Sequence, residues 1–140
     1  MVKVIMGKKG SGKTKHMIEL INNALHEEAG SVVCIERNRK LTYDIHYKIR
    51  LVEASDFDLG NFDLLKGMIQ GLYAGNYDIT HIFIDSLCRV VPCEGGPEVE
   101  EMLDWLERFS VTNGVKFTIT ISADADLARP GVKKYFETQF

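Results

Sequence analysis

A chain of 140 residues is long enough for one domain with one sizeable core. Its 45% hydrophobic and 26% charged content is that of an ordinary globular protein, and a net charge of -3 argues against a generally basic nucleic-acid binder. No apolar run approaches the roughly 20 residues of a membrane helix, and Lys8, Lys9 and the glycines break the early apolar run where a signal peptide would continue it, so a cytoplasmic protein is expected.

Val2-Lys3-Val4-Ile5-Met6 reads as a short buried strand. Gly7-Lys8-Lys9-Gly10-Ser11-Gly12-Lys13-Thr14 follows and fits G-x-x-x-x-G-K-[ST], the phosphate-binding P-loop. Its glycines let backbone N–H groups approach a phosphate with no Cβ in the way. A helix beginning at the loop points its positive dipole end at the same anion. Phosphate contacts are therefore expected from Gly7 through Gly12 and from Lys13, Thr14 and Lys15. Lys13 would reach the β- and γ-phosphates, and the Thr14 hydroxyl would ligate Mg²⁺. Met17, Ile18, Ile21, Ala24 and Leu25 carry helical spacing up to Ala29, and Gly30 suits a left-handed C-cap.

Ser31 to Ile35 is a continuous apolar run, as in a parallel strand covered on both faces. Glu36-Arg37-Asn38-Arg39-Lys40 comes straight after it, where an open parallel sheet faces its ligand crevice. Two readings stand there: a solvated charged loop, or Glu36 as the carboxylate that orients an attacking water. Leu41 to Tyr47 is ambiguous, and Ile49 to Ala54 reads as a short edge strand. Asn61 is placed to cap a helix to about Tyr73, with Phe62, Leu65, Met68, Ile69 and Leu72 on one face. His81-Ile82-Phe83-Ile84-Asp85 is an apolar strand ending in a carboxylate, which would hold Mg²⁺ at the strand's carboxyl end.

Ser86 to Gly96 reads as a loop or short helix with loop, containing Arg89, a surface arginine or a stabiliser of phosphate charge. Pro97 opens a helix whose buried stripe is Val99, Met102, Leu103, Leu106 and Phe109. Val115 to Ile121 is the next strand, and Ser122 at its end is a candidate γ-phosphate sensor. Arg129-Pro130-Gly131 leads into a short terminal helix. Cys34, Cys88 and Cys93 make no even disulfide framework and no zinc pattern, so reduced structural thiols are expected. The four histidines show no metal-ligand spacing.

Residues 2–30 and 80–86 together resemble the P-loop NTPase superfamily. The succession of P-loop, Glu36, Asp85 and Ser122 is similar to the RecA-like ATPases, and that resemblance implies Glu36 as catalytic base beside Lys13 and Asp85. Ile35-Glu36-Arg37 is also similar to the segment after this strand in the type IV pilus retraction, or twitching motility, ATPases. Those are much longer, and many P-loop ATPases carry a glutamate where Ser86 stands. The charged segment 36–39 is similar too to the thymidine-kinase-like branch, whose cysteine segment and lasso have no counterpart here.

The expectation is a three-layer α/β sandwich with a mainly parallel sheet of about five strands in a single domain, binding Mg²⁺ and ATP and hydrolysing it. Alternatives are a nucleotide-binding module that recruits a protein partner or forms a homo-oligomer, and a small nucleoside kinase. Strand order is open: RecA-like sheets set a strand between the P-loop strand and the Asp85 strand, whereas kinase-like sheets set those two side by side.

Overall fold

The computed structural model describes residues 1–38, 41 and 44–139. Its strands are β1 (Val2–Gly7), β2 (Ser31–Glu36), β3 (Arg50–Glu53), β4 (Ile79–Ile84), β5 (Lys116–Ser122) and β6 (Phe136–Gln139). The helices are α1 (Lys13–Glu27), α2 (Phe62–Gly75), α3 (Leu87–Val90), α4 (Pro97–Asn113) and α5 (Pro130–Lys133). The six strands form one sheet in the order β3-β2-β4-β5-β1-β6, every neighbour parallel. β5 thus lies between β1 and β4, which is the RecA-like arrangement rather than the kinase-like one.

Alternation along the strands assigns the two faces. Ile5, Cys34 and Phe83 pack with Met17, Ile21 and Ala24 of α1. Val4, Met6, Val33, Ile35, Ile82 and Ile84 face the other way, into a cluster with Leu65 and Ile69 of α2 and Met102 and Leu106 of α4. Helices therefore cover both faces, as an all-parallel sheet requires. Asn61 caps α2 by accepting from the Leu64 N–H at 2.9 Å. Gly114 (φ 70°) turns the chain out of α4.

Four local expectations change. The chain after the short terminal helix continues into β6, a sixth strand on the outer side of β1, reached because Val132 buries and Tyr135 turns the chain back. Leu41 and Ile45 bury against the α1 face, and the Asp44 and Ile45 N–H groups bond the Leu41 carbonyl. Arg39, Lys40, Thr42 and Tyr43 lie outside the described residues. Cys88 and Cys93, expected as reduced thiols, form a disulfide: one turn of α3 followed by extended Val91 folds the chain back until their Cα atoms are 4.9 Å apart. Cys34 is a free, buried thiol, as expected.

The fourth change concerns Gly30. Helix α1 ends at Glu27 with extended Glu28 as its cap, and Gly30 is not among the positive-φ glycines. It is small because a Cβ there would lie 2.0 Å from the Asp78 carbonyl oxygen and 2.6 Å from Thr80 Cγ2. That carbonyl receives the Ser31 N–H at the first rung of β2 and β4. Gly30→Ala is expected to destabilise the fold by about 1–3 kcal/mol, the usual cost of forcing atoms into a filled space. Urea unfolding with an unchanged midpoint would show that the strand start yields freely instead.

Candidate functional site

The carboxyl ends of four central strands stand in a row. Gly7 pairs with Ser122, Ile84 with Ile119 and Ile35 with Ile84, so Asp85 sits beside Thr120 and Glu36 beside Asp85. With strands about 4.8 Å apart, Gly7 and Glu36 are separated by roughly 14 Å across the sheet. The period of two then aims the polar residues. Glu36 follows Cys34, Asp85 follows Phe83, and Ser122 follows Thr120 at the same spacing, so all project toward the α1 face, where Lys13 begins the helix.

The loop between β1 and α1 has the backbone that its glycines permit. Gly10 (φ 82°) and Gly12 (φ 93°) are left-handed, and Gly12 is the N-cap of α1 without any side-chain cap bond. Ser11 N–H bonds the Lys8 carbonyl at 3.1 Å, and His16 N–H bonds Gly12 at 3.2 Å. No described residue accepts from the backbone N–H of Lys9, Gly10, Gly12, Lys13 or Thr14. Ser11 Oγ is buried without a hydrogen-bond partner among the described residues. Uncommitted donors at a helix N-terminus form a concavity suited to an anion. Lys8, Lys9, Thr14 and Lys15 are exposed around it, and Lys8 Nζ is 3.6 Å from Asp124 Oδ2, tying the loop to the segment after β5.

Lys13 is 5% exposed, and its ammonium donates to the Lys8 carbonyl at 3.3 Å. Burial lowers its pKa, opposed by the nearby Asp85 carboxylate. Asp85 is held on both sides. Its N–H continues the ladder to the Ile35 carbonyl at 2.9 Å. Its Oδ1 accepts from the Thr120 hydroxyl at 2.9 Å, and the same hydroxyl accepts the Ser86 N–H at 2.7 Å. Ser86 has φ 57°, the one left-handed residue other than glycine among the described residues. Left-handed backbone disfavours a residue with a side chain, and the Thr120 bond is what Ser86 gains there.

Glu36 is not a solvated loop residue: it is 2% exposed. Both carboxylate oxygens lie within reach of the Leu41 N–H, at 3.3 and 3.4 Å. Arg37 and Asn38 are exposed, so the solvated-loop reading holds for them and not for Glu36. Glu36 and Asp85 share a cleft of about 10 Å³, the room of a single water. Behind them, burial raises the Cys34 thiol pKa, and the Asp85 and Glu36 carboxylates raise it further. Ser122 is exposed opposite Gly7.

Thr120 escapes sequence reasoning. The available signal is the pattern Thr118-Ile119-Thr120-Ile121, two threonines on one face of a buried strand. Each bonds a β4-side residue: Thr118 pairs with His81 at 2.9 Å and Thr120 with Asp85. Among the described residues no group of three or more His, Cys, Asp or Glu is placed to hold a metal, and no helix is long and apolar enough to cross a membrane. A hydrated ion shared by Thr14, Asp85 and phosphate oxygens needs no such cluster, and the uncommitted donors of the loop fit the phosphates.

No protein-family model matches the chain, and no curated protein matches it. Among solved structures, it is similar to a KaiC-like protein from the hyperthermophilic archaeon Pyrococcus horikoshii OT3, with a TM-score of 0.69 and 19% identity over 96% of this chain and 68% of that one. Together with the strand order, that likeness shows a RecA-like α/β fold built on a six-stranded parallel sheet.

Proposed function

We propose that this chain binds ATP with Mg²⁺ and hydrolyses it. The observation that carries the reading is the buried Lys13 ammonium, near Asp85 and at the end of a loop in which the amides of Lys9, Gly10, Gly12, Lys13 and Thr14 have no acceptor among the described residues. Loop amides and Lys13 hold the phosphates, and Thr14 and Asp85 hold the metal. Mg²⁺, when bound, neutralises charge on the β- and γ-phosphate oxygens. In this reading Glu36 accepts a proton from a water in the cleft it shares with Asp85, and Ser122, opposite Gly7, senses the γ-phosphate. Catalysis of this kind is mostly positioning and electrostatic stabilisation.

A second reading is a binding module whose nucleotide state recruits a protein partner or a second copy. Ser86 favours it by standing beside Asp85 where many P-loop ATPases have a glutamate, and Glu36 favours it by already spending its carboxylate on Leu41. The similarity at Ile35-Glu36-Arg37 to twitching motility ATPases reaches only this strand end, so the proposal stops at the nucleotide and includes no motor.

A phosphorus NMR time course of MgATP with stoichiometric protein separates these readings. The parent is expected to perturb the ATP signals and convert them to ADP and phosphate, while Lys13→Ala leaves them unperturbed. Glu36→Gln is expected to retain binding and slow product formation by about a hundredfold or more, the usual contribution of a general base. Perturbed ATP without products supports the module. ATP unperturbed by the parent would overturn both.

A further inference from the structure

A second feature lies on the far side of the Glu36–Asp85 cleft. Its wall is made by Arg37 and Arg89, which line that cleft on one side and a separate groove of about 260 Å³ on the other. The groove runs between the single helical turn Ala54–Asp56 and the segment from α3 to Pro92. Its remaining lining combines Ser55 with apolar Phe57, Leu59 and Val90.

Three observations give the groove a ligand chemistry. First, both arginines are exposed, and neither has a carboxylate partner among the described residues. Other exposed cations of the described residues do find a carboxylate, as Lys116 does with Glu28 and Lys134 with Asp104. Second, the Arg37 side of the wall is tied in place. Arg37 Nη1 donates to the Arg89 carbonyl at 3.1 Å, and the Arg37 carbonyl accepts the Ser55 N–H at 2.9 Å. One guanidinium edge is thus fixed, leaving further N–H donors in a planar fork suited to an oxyanion. Third, Phe57 is 55% exposed although large and apolar, and it lines the same groove. A volume near the lower end of small-molecule sites, with an apolar wall and a few convergent polar groups, suits a compact amphipathic ligand.

We propose that this groove binds a small organic anion: an apolar, ring-sized body against Phe57, Leu59 and Val90, and a carboxylate or phosphate against Arg37 and Arg89. The site does not depend on the nucleotide reading, because none of its groups belongs to the P-loop. If a nucleotide also binds, the two ligands sit on either side of one arginine wall, and any coupling between them is reciprocal.

The test is amide NMR of the full chain, carried out on the parent and on Lys13→Ala so that nucleotide binding is not required. Phenyl phosphate and phenylacetate are the anionic probes, and benzyl alcohol is the neutral control. The expected result is saturable shifts of the Arg37, Ser55, Phe57 and Arg89 amides with an anionic probe in both proteins, and none with benzyl alcohol. Which anion binds more tightly distinguishes a phosphate site from a carboxylate site. Arg37→Gln and Arg89→Gln, both at exposed positions, are each expected to weaken binding about tenfold, the loss of one charge-assisted hydrogen bond. The proposal is overturned if no probe saturates, if the arginine variants bind as the parent does, or if shifts appear only at loop residues 8–14. It is also overturned if benzyl alcohol matches the anions, since the groove would then be reading the ring alone.

Discussion

Asp85→Asn is expected to keep the fold and lower MgATP turnover by about a hundredfold to a thousandfold, the range seen when one preorganised electrostatic group is lost. An asparagine retains the size and an acceptor for the Thr120 hydroxyl, so the 2.9 Å bond has a replacement. What disappears is the negative charge that faces Lys13 and would hold Mg²⁺. Thr120→Val separates placement from charge. It leaves the carboxylate intact but removes the donor to Oδ1 and the acceptor for the Ser86 N–H. Outer groups that orient a metal ligand are commonly worth about 10–100-fold in metal affinity. The Mg²⁺ concentration giving half-maximal ATP binding should rise in that range for Thr120→Val and return toward the parent for Thr120→Ser. Unchanged turnover in Asp85→Asn would sink the metal role. An unchanged Mg²⁺ titration in Thr120→Val would make the threonine merely a filler of the strand.

The second large effect is on acid stability, at the opposite end of the strands. His81 stacks on Phe83 with ring centroids 4.0 Å apart, and burial lowers its pKa to about 4 despite the opposing pull of Glu28. In the unfolded chain the imidazole has its ordinary pKa near 6.5. Between those two values the unfolded state binds more protons, so stability falls as pH drops from about 6.5 toward 4. The difference corresponds to on the order of 3 kcal/mol, since one pKa unit is about 1.4 kcal/mol. Glu28 works in the same direction at lower pH. Burial pushes its pKa up, but the hydrogen bond from Lys116 and the charges of His81 and Lys116 bring it below the ordinary value. Its contribution is therefore lost as pH falls through the carboxylate range. Urea unfolding at pH 7 and pH 4.5 should show a clearly smaller stability loss in His81→Gln than in the parent. Equal losses would place the acid sensitivity elsewhere.

Much of this was readable in the residues, and the failures have physical causes. The strand, glycine loop and helix of residues 2–27, the strands that lead to Glu36 and Asp85, and the capped helix from Asn61 all follow from local chemistry, and the structure has these elements there. Strand order was not readable, because local patterns say which segments are strands but not which become neighbours. The disulfide was missed because an odd cysteine count hides a local pair, and only the turn after α3 brings Cys88 and Cys93 together. Gly30 is glycine for a reason the residues do not display: sequence shows where a helix ends but not which carbonyl would lie 2.0 Å from a Cβ there. Thr120 was overlooked for a related cause, since its partner Asp85 is distant in sequence and adjacent only through the β4–β5 register.

That sheet order also shapes how the chain is made. Of the six strands β1 leaves the ribosome first, yet both its neighbours, β5 and β6, come from residues 116–139. At about 5–20 residues per second, synthesis leaves this apolar strand without its partners for roughly six to twenty seconds. Pairings between distant segments are slow to form as well, because the loop must close before the contacts reward it. The glycine loop that begins where β1 ends therefore acquires its final shape late, and a nucleotide that binds it can stabilise only a chain whose last strands have already docked. During synthesis, β1 is the strand that waits longest for both of its neighbours.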